Sequence, residues 1–301
     1  MPLNQTNKLV WIVETISQAR MISFNDLNEK WIHNDELSKG KPMQRRTFHK
    51  WRQKIWDTFG LDIQCENGGD FRYFISNKDD LKSGSIEKWL LNTYSVKNSL
   101  IESKSIKERI ILEDVPSGRE YLDQIIEAMK QNRCINIEYH NYYRNDIRKH
   151  KLMPLFVKLF HQRWYAICRD CHENTERIYS LDRVQKLDLL DETFEYPENF
   201  SPEEYLEGCF GIFKSYDIEI EHVVIKVSNI KSNYLRALPL HHTQKEIETT
   251  KEYSKFTFWL RPTHDFEEEL LKYGGNIEVL EPQWFRNNMA KLIASMNDKY
   301  K

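Results

Sequence analysis

Residues 37–56 combine a run of basic side chains with amide and imidazole groups, and contain no acidic residue. Lysine and arginine bind phosphates, and polar side chains in the major groove also hydrogen-bond to base edges. This chemistry points to contact with nucleic acid. The candidate DNA-contacting residues are Arg45, Arg46, His49, Lys50, Arg52 and Gln53, with Gln44 as a further polar group.

The elements that must position these residues are three helices and a hairpin. Within a helix over 43–59, apolar side chains share one face (Phe48, Trp51, Ile55, Phe59) and polar ones the opposite face (Arg46, His49, Lys50, Gln53). Pro42 is placed to open that helix. Two helices precede it (8–20 and 23–31), and a hairpin follows (61–65 and 71–75, turning at 67–69). This order predicts a winged helix-turn-helix over residues 1–80; the alternative is that the basic face is merely solvated.

Composition limits the kinds of protein this can be. The 301 residues carry a net charge of −2, so nucleic-acid binding must come from a local patch. No apolar run approaches the roughly 20 residues that span a bilayer, and no signal peptide is apparent. The cysteines are scattered and odd in number, which predicts free thiols and a cytoplasmic location. They are Cys65, Cys134, Cys168, Cys171 and Cys209.

Residues 81–130 read as a connector. A helix over 85–100 carries the apolar run 89–91, which is more apolar than a free linker requires. One interpretation is packing against a second subunit in a homodimer; the other is packing within the same chain. An extended segment at 110–113 and a break at 116–118 lead to an amphipathic helix over 121–132.

Residues 131–195 read as five short strands, which predict a small closed β-barrel. Residues 134–139 alternate strictly, with Ile135, Ile137 and Tyr139 on one face. A hairpin is expected to turn at 161–162. The run Cys168-Arg169-Asp170-Cys171-His172 has haem-attachment spacing, but no second cysteine pair follows, so neither a metal nor a cofactor is predicted.

Here the chain resembles the WYL-domain transcription regulators. The matching residues are Ile137-Glu138-Tyr139, His150 four before Pro154, Trp164-Tyr165, and Leu181-Asp182-Arg183-Val184. The signature triplet usually ends in Leu, where this chain has Ala166. The resemblance implies a winged helix, an Sm-like five-stranded barrel that senses a nucleotide or short nucleic acid, and a C-terminal extension.

The resemblance also implies candidate ligand-binding residues: Tyr139, His150, Tyr165 and Arg183, with Arg177 as a weaker fifth. Arginine forks suit phosphates and aromatic rings suit bases. Because the family often has Arg where His150 stands, charge there is expected to depend on pH. The alternatives are that Trp164 is core, that Tyr139 and Tyr165 are core-edge residues, and that Asp182 and Arg183 form an internal ion pair.

Residues 213–301 alternate strands and helices, which predicts a small α+β domain of ferredoxin-like type. The stretch 273–282 resembles the extension that accompanies WYL domains. The paired His241 and His242, in a polar loop, are expected at the surface.

These observations predict a multidomain α+β protein. The leading hypothesis is that it is a homodimeric transcription regulator that binds specific DNA sequences, and repression is the expected direction of control. Its partners would be duplex DNA and a nucleotide or oligonucleotide effector, and the resemblance implies roles in phage defence or DNA damage. The alternative is a single-strand-binding protein without promoter control. No paired carboxylates, nucleophile–base spacing or phosphate-cradling glycine loop favours an enzyme.

Overall fold

The computed structural model describes residues 3–66, 71–77, 85–102, 109 and 118–301, and divides the chain into two units, 1–113 and 114–301. Three predicted features fall outside the described residues: the hairpin turn at 67–69, the extended segment at 110–113 and most of the break at 116–118.

The described residues of the first unit include five α-helices. They are α1 (Leu3–Ala19), α2 (Phe24–His33), α3 (Asp35–Ser38), α4 (Arg45–Phe59) and α5 (Ile86–Glu102). Ser23 caps α2, because its side chain accepts a hydrogen bond from the Asp26 amide at 3.1 Å. The helix α4 begins at Arg45, so the prediction that Pro42 opens it was wrong. It ends at Gly60, whose φ of 63° suits a glycine.

A small antiparallel sheet accompanies these helices. Its strands are β1 (Ile22–Ser23), β2 (Ile63–Cys65) and β3 (Arg72–Ile75), in the order β1-β3-β2. Phe48 and Tyr73 meet edge to face with ring centroids 4.8 Å apart, which fastens α4 to β3. The periodic apolar positions of α1 and α4 fill one core, in which Leu9, Ile12 and Ile55 are fully buried.

The helix α5 bears on the two interpretations of the connector. Leu90, Leu91 and Tyr94 pack against the core of the first unit. This agrees with the interpretation that the helix packs within its own chain. Trp89 and Val96 are 45% and 60% exposed.

The second unit opens with one helix and a five-stranded antiparallel sheet. They are α6 (Arg119–Lys130), β4 (Arg133–Asn141), β5 (Asp146–Phe160), β6 (Arg163–Asp170), β7 (Glu176–Ser180) and β8 (Val184–Thr193). The strand order is β7-β6-β5-β4-β8. Ile135 and Ile137 face the core as predicted, and α6 packs on them through Leu122 and Ile125. No pairing between β7 and β8 is present in this described part of the chain, so the sheet is open and the predicted closed barrel is not shown.

Two turns connect strands of this sheet in ways that bring distant residues together. The β5–β6 hairpin turns at His161 and Gln162 as predicted, both with positive φ. The strands β7 and β8, at opposite ends of the sheet, are joined by a 3-10 turn at Leu181–Arg183.

The remainder of the second unit contains α7 (Pro202–Tyr205) and a four-stranded sheet with three helices. These are β9 (Glu221–Ser228), α8 (Asn229–Ala237), β10 (Lys245–Thr249), β11 (Tyr253–Leu260), α9 (His264–Leu271), β12 (Ile277–Glu281) and α10 (Gln283–Asp298). The β-α-β-β-α-β order, with antiparallel strands ordered β10-β11-β9-β12, is the arrangement predicted as ferredoxin-like. The strand β10, whose residues are mostly exposed and polar, was not predicted from the sequence.

No helix among the described residues is both long enough and apolar enough to cross a bilayer.

Candidate functional sites: a basic helix and a cavity

The helix α4 separates apolar and polar residues onto two faces, as the sequence predicts. Phe48, Ile55 and Phe59 are buried, and Trp51 packs partly buried against the same core. The candidate residues Arg45, Arg46, His49, Lys50 and Gln53 are exposed. Within the residues that the structure describes, neither Arg46 nor Lys50 joins an ion pair.

Three other predicted contact residues of this helix already have partners. The Arg52 guanidinium donates to the carbonyl oxygen of Ile63 and lies 5.5 Å from the Tyr73 ring, so it ties α4 to the hairpin. Arg45 lies 4.8 Å from the Phe24 ring, and Gln53 donates to Asp57 at 2.9 Å. The side chains best placed to meet an external ligand are therefore Arg46, His49 and Lys50.

A cavity of about 350 Å³ lies between the five-stranded sheet and helix α9. The first sheet supplies one wall, and the segment 212–213 together with α9 supplies the other. Three of the five predicted ligand residues line it, namely Tyr139, Tyr165 and Arg183. They come from β4, β6 and the 3-10 turn, so the fold brings together side chains that are far apart in the sequence.

Tyr139 is fixed at the floor of this cavity. Its hydroxyl oxygen accepts a hydrogen bond from the Ser180 amide at 3.3 Å, and its ring meets Tyr179 edge to face at 5.1 Å. Burial raises the pKa of the Tyr139 phenol, and hydrogen bonds involving Ser180 and Arg183 partly oppose that shift. The phenol is therefore neutral at physiological pH and available as a hydrogen-bonding group.

Arg183 is held by an unusually close backbone approach. A Cβ on Gly118, whose φ is 62°, would lie 2.4 Å from the Asp182 amide nitrogen, so only glycine lets α6 begin against this turn. The Arg183 guanidinium lies 4.4 Å from the Tyr142 ring. Its Nε is buried without a hydrogen-bond partner.

Asp182 does not pair with Arg183, which was the alternative to ligand binding by that arginine. Asp182 instead accepts from the Ser180 hydroxyl and lies 3.7 Å from the Arg163 guanidinium. Arg163 also lines the cavity, which was not predicted from the sequence. The signal was present, because Arg163 lies two residues before Tyr165 and strands alternate their faces with a period of two.

The opposite wall carries carboxylates that already have polar or ionisable partners. Glu269 lies 3.4 Å from the His161 ring and 2.6 Å from the Lys272 ammonium group, and Glu268 lies 3.0 Å from the His264 ring. Asp265 is buried and accepts from the Thr263 hydroxyl at 2.6 Å. No local sequence pattern marks these groups, because they reach the cavity only when α9 packs beside the first sheet.

His150 and Arg177 do not line the cavity, so the five predicted residues do not converge on one site. The His150 ring lies 3.7 Å from the Asp170 carboxylate and packs on Tyr179. Arg177 pairs with Glu173. Arg177 neighbours Ile178, which does line the cavity, and successive strand residues point to opposite faces.

Asp170 explains why His150 is held where it is. Burial alone would raise the pKa of this carboxyl, but amide hydrogen bonds from Glu173 and His172 and the nearby His150 ring lower it below its usual value. The carboxylate therefore stays charged and orients the imidazole.

Other predicted residues are mostly structural. Trp164 packs partly buried against the core of the first sheet, as expected. Burial raises the pKa of the Cys168 thiol, and it raises that of Cys171 to about 11.

Of the two histidines that were expected at the surface, His242 is exposed but His241 is buried, so the expectation was wrong for His241. Burial and the neighbouring His242 lower the pKa of His241 to about 4.

Comparison with known families identifies two parts of the second unit. Residues 120–189 match the WYL domain, and residues 219–296 match the WCX domain. The chain therefore contains a WYL domain and a WCX domain. The cavity lies where these two domains meet. No protein with a curated description matches the sequence.

Two solved structures are similar at low identity. Proteasome accessory factor B/C of Arthrobacter aurescens is 17% identical, with a TM-score of 0.38 over 95% of this chain and 46% of that one. This chain thus spans about half the length of that protein. A CRISPR Cas-related protein is 12% identical, with a TM-score of 0.36 over 99% of this chain and 85% of that one.

Proposed function

We propose that this protein is a transcription regulator that binds duplex DNA through the first unit and a nucleotide or short nucleic acid at the WYL–WCX cavity. The observation that carries the proposal is the exposed basic face of α4, where Arg46, His49 and Lys50 project beside a buried apolar face. In the proposed winged helix, α4 enters the major groove and the β2–β3 hairpin lies along the backbone.

The WYL domain supports the regulatory half of the proposal. A ligand phosphate would bind Arg183 and Arg163, which both line the cavity. A base would stack on Tyr165 and hydrogen-bond to Tyr139. Because the cavity has walls from both domains, an occupant would favour one arrangement of them, which is how binding could alter affinity for DNA.

In its full form the proposal is a cytoplasmic homodimer that represses promoters with two-fold symmetric sites, and it assigns no catalysis to the chain. The exposed Trp89 and Val96 on α5 provide apolar surface for the dimer. Phage defence and the DNA-damage response are the processes to examine first.

The deciding experiment is fluorescence anisotropy with duplex DNA from the region upstream of the protein's own gene, across a salt series. We expect selective binding over scrambled duplex and a steep salt dependence. Reversing the charge of Arg46 and Lys50 together (R46E/K50E) should weaken binding by about 100-fold, because two phosphate contacts become repulsions. A matched control, K291E/K299E, makes the same charge change on exposed residues at α10 and should leave duplex affinity unchanged.

Equal losses in the two double variants would mean that net charge, not α4, governs binding, and the proposal would fail. If the native protein binds duplexes weakly and without selectivity but binds single strands, the alternative of a single-strand-binding protein is favoured instead. Repression is then tested with a promoter reporter, which R46E/K50E should derepress.

A further inference from the structure

The polar face of α4 changes its chemistry along the helix. Its first two turns carry the basic residues described above, whereas its later turns expose Gln53, Trp56 and Asp57. Trp56 is 52% exposed. At about 100° for each residue, Trp56 lies about 60° and Asp57 about 40° around the helix from Gln53, and Arg46 lies about 20° from it. One side of the helix therefore continues from cations into an amide, an indole ring and a carboxylate.

A cleft of about 480 Å³ lies between this part of α4 and the strand β2. The residues that line it are His49, Arg52, Gln53, Trp56, Asp62 and Ile63. Its two charged residues are already engaged, because Arg52 donates to the Ile63 carbonyl oxygen and the Asp62 carboxylate accepts from the Gln64 side chain at 2.7 Å. Within the described residues, the groups that this leaves for a ligand are an imidazole, an amide and an indole ring.

Asp57 fixes the orientation of the Gln53 amide. The Gln53 Nε2 donates to the Asp57 carboxylate at 2.9 Å, which is the side-chain hydrogen bond that Gln53 makes within the described part of the chain. A carboxylate only accepts hydrogen bonds, so the nitrogen of the amide must face it. One N–H group and the carbonyl oxygen of Gln53 are left, side by side, for a ligand. In the major groove adenine presents the matching acceptor N7 and donor N6, whereas guanine presents two acceptors.

Charge in this part of the face favours a base edge over the phosphate backbone. Asp57 lies on the face and Asp62 lines the cleft beside it, and both carboxylates would repel a phosphate. The edge of a base pair is neutral, and an A·T pair adds the thymine methyl group, which apolar side chains contact. The exposed Trp56 ring offers such a surface three residues beyond Gln53.

We propose that α4 reads A·T base pairs in the major groove, with Gln53 binding adenine and Trp56 contacting the thymine methyl group. Asp57 is a positioning residue that acts through Gln53. Arg46 and Lys50 attract the backbone, and the later turns of the helix select the sequence. The assignment rests on the proposed binding of duplex DNA by α4, and it adds the kind of base pair that this binding selects.

The first test removes the methyl groups and keeps the base pairing. Duplex DNA from the region upstream of the protein's own gene is prepared with dT or with dU at every thymine position, and the full-length protein is titrated with each by anisotropy. The native protein should bind the dU duplex about 4-fold more weakly for each methyl group that it contacts. W56A should bind the dT duplex more weakly than the native protein does, with no further loss on the dU duplex.

A matched control removes a second tryptophan of similar exposure. Trp259 is 55% exposed and lies opposite His222 on the sheet of the WCX domain. W259A should keep the full difference between the dT and dU duplexes. W56F, which keeps an aromatic ring on α4, should keep part of it.

The second test removes the adenine acceptor by placing 7-deaza-dA at every adenine position. The native protein should lose about 5-fold in affinity, the size of one hydrogen bond, and Q53A should lose nothing. D57A should show a smaller loss than the native protein, because Gln53 is then free to rotate. D57N, whose amide oxygen still accepts from Gln53, should restore the native loss. Each result is a ratio of affinities for two duplexes, so the charge removed at Asp57 cancels.

Equal binding of the dT and dU duplexes by the native protein would overturn the thymine contact. An equal loss in W56A would do the same, because the methyl groups would then act through the shape of the DNA. A 7-deaza-dA effect that persists in Q53A would overturn the adenine contact. If R46E/K50E weakens binding while the native ratios stay at one, α4 binds duplex DNA without reading A·T pairs, and only this inference fails. If the native protein binds no duplex, the proposed function fails with it.

Discussion

The basic face of α4 and the WYL–WCX cavity are built in opposite ways. The face of α4 comes from one helix, and its exposed residues Arg46, His49 and Lys50 lie within little more than one turn of it. The cavity draws Tyr139, Arg183 and Lys272 from distant parts of the chain and from two domains. Local periodicity is enough to form the first, whereas the second exists only after two sheets and α9 have packed together.

The two regions should also respond differently to substitution. Changes on the exposed side of α4 disturb few neighbours, so their effects should appear in DNA binding rather than in stability. The cavity depends on close packing. For example, a Cβ on Gly211 would lie 2.5 Å from both the Phe160 ring and the Asp265 carboxylate. Substitutions near the cavity should therefore change stability and ligand binding together.

The largest expected contrast is between two glycines with nearly the same backbone. Gly60 follows the last residue of α4 with φ 63°, and a Cβ built there would have no other atom within 4 Å. Gly118 has nearly the same φ, 62°, but a Cβ there would lie 2.4 Å from the Asp182 amide nitrogen. We expect G60A to cost about 1 kcal/mol, from the positive φ alone. G118A should cost about 3 to 4 kcal/mol, because overpacking against the Leu181–Arg183 turn is added.

Hydrogen exchange measures this contrast, since it reports the stability of each unit separately. G118A should lower protection in the second unit and leave the first unaffected. Equal costs for the two variants would show that the 3-10 turn yields to α6, and that this close approach does not hold Arg183 in place.

A second prediction concerns pH and the buried His241. Its pKa in the folded protein is about 4, below the usual 6.5, so the folded state favours the neutral ring. The neutral His241 ring therefore makes its full contribution to the free energy of unfolding above about pH 6.5. That contribution declines as the pH falls towards 4, by up to about 3 kcal/mol at 1.36 kcal/mol per pKa unit.

The measurement is the difference in urea midpoint between about pH 7 and about pH 4.5, on either side of most of this transition, compared for the native protein and H241N. Asparagine keeps a polar group near the Thr243 hydroxyl, which His241 Nδ1 meets at 2.7 Å. The variant should lose less stability on acidification than the native protein. Parallel pH curves would mean that carboxylates alone cause the acid sensitivity. As an internal comparison, the same substitution is made at an exposed histidine of α4, His49 (H49N).

The smallest expected effect comes from comparing Arg183 with Arg177, which were predicted together as ligand-binding residues. Arg183 lines the cavity with an unpartnered Nε, and Arg177 pairs with Glu173 outside it. R183A should weaken binding of a nucleotide or short oligonucleotide in the cavity by about 10-fold, the size of one charge-assisted hydrogen bond. R177A should change it little. Isothermal titration measures both, and a greater loss in R177A would move the ligand site to the His150–Asp170 side of the sheet.

Much of the fold followed from the sequence. The strand β4 was predicted over most of its length, and the β5–β6 turn was predicted at the residues where it is found. These segments have strong periodicity or distinct turn residues, so local rules suffice. The strand β10 was missed because its polar residues lie at a sheet edge, where no apolar alternation is required. Pro42 misled the start of α4, because a proline suits a loop before a helix as well as its first turn.

The candidate cavity was predicted only in part. Tyr139, Tyr165 and Arg183 line the cavity, whereas His150 and Arg177 do not. Residue type does not say which way a side chain faces once a long strand such as β5 bends around a core. The burial of His241 was missed for a similar reason, because a polar loop sequence does not reveal what packs over it.

The sequence by itself determined the two faces of α4, because a helix with a 3.6-residue period sorts its own side chains by polarity. It also determined the alternation that leaves Trp259 and His222 on one side of the WCX sheet. The tertiary structure decided which distant side chains share a cavity, and that Asp182 pairs with Arg163 rather than with Arg183. Such choices depend on the packing of whole domains, where distances between residues far apart in sequence are set by the core between them.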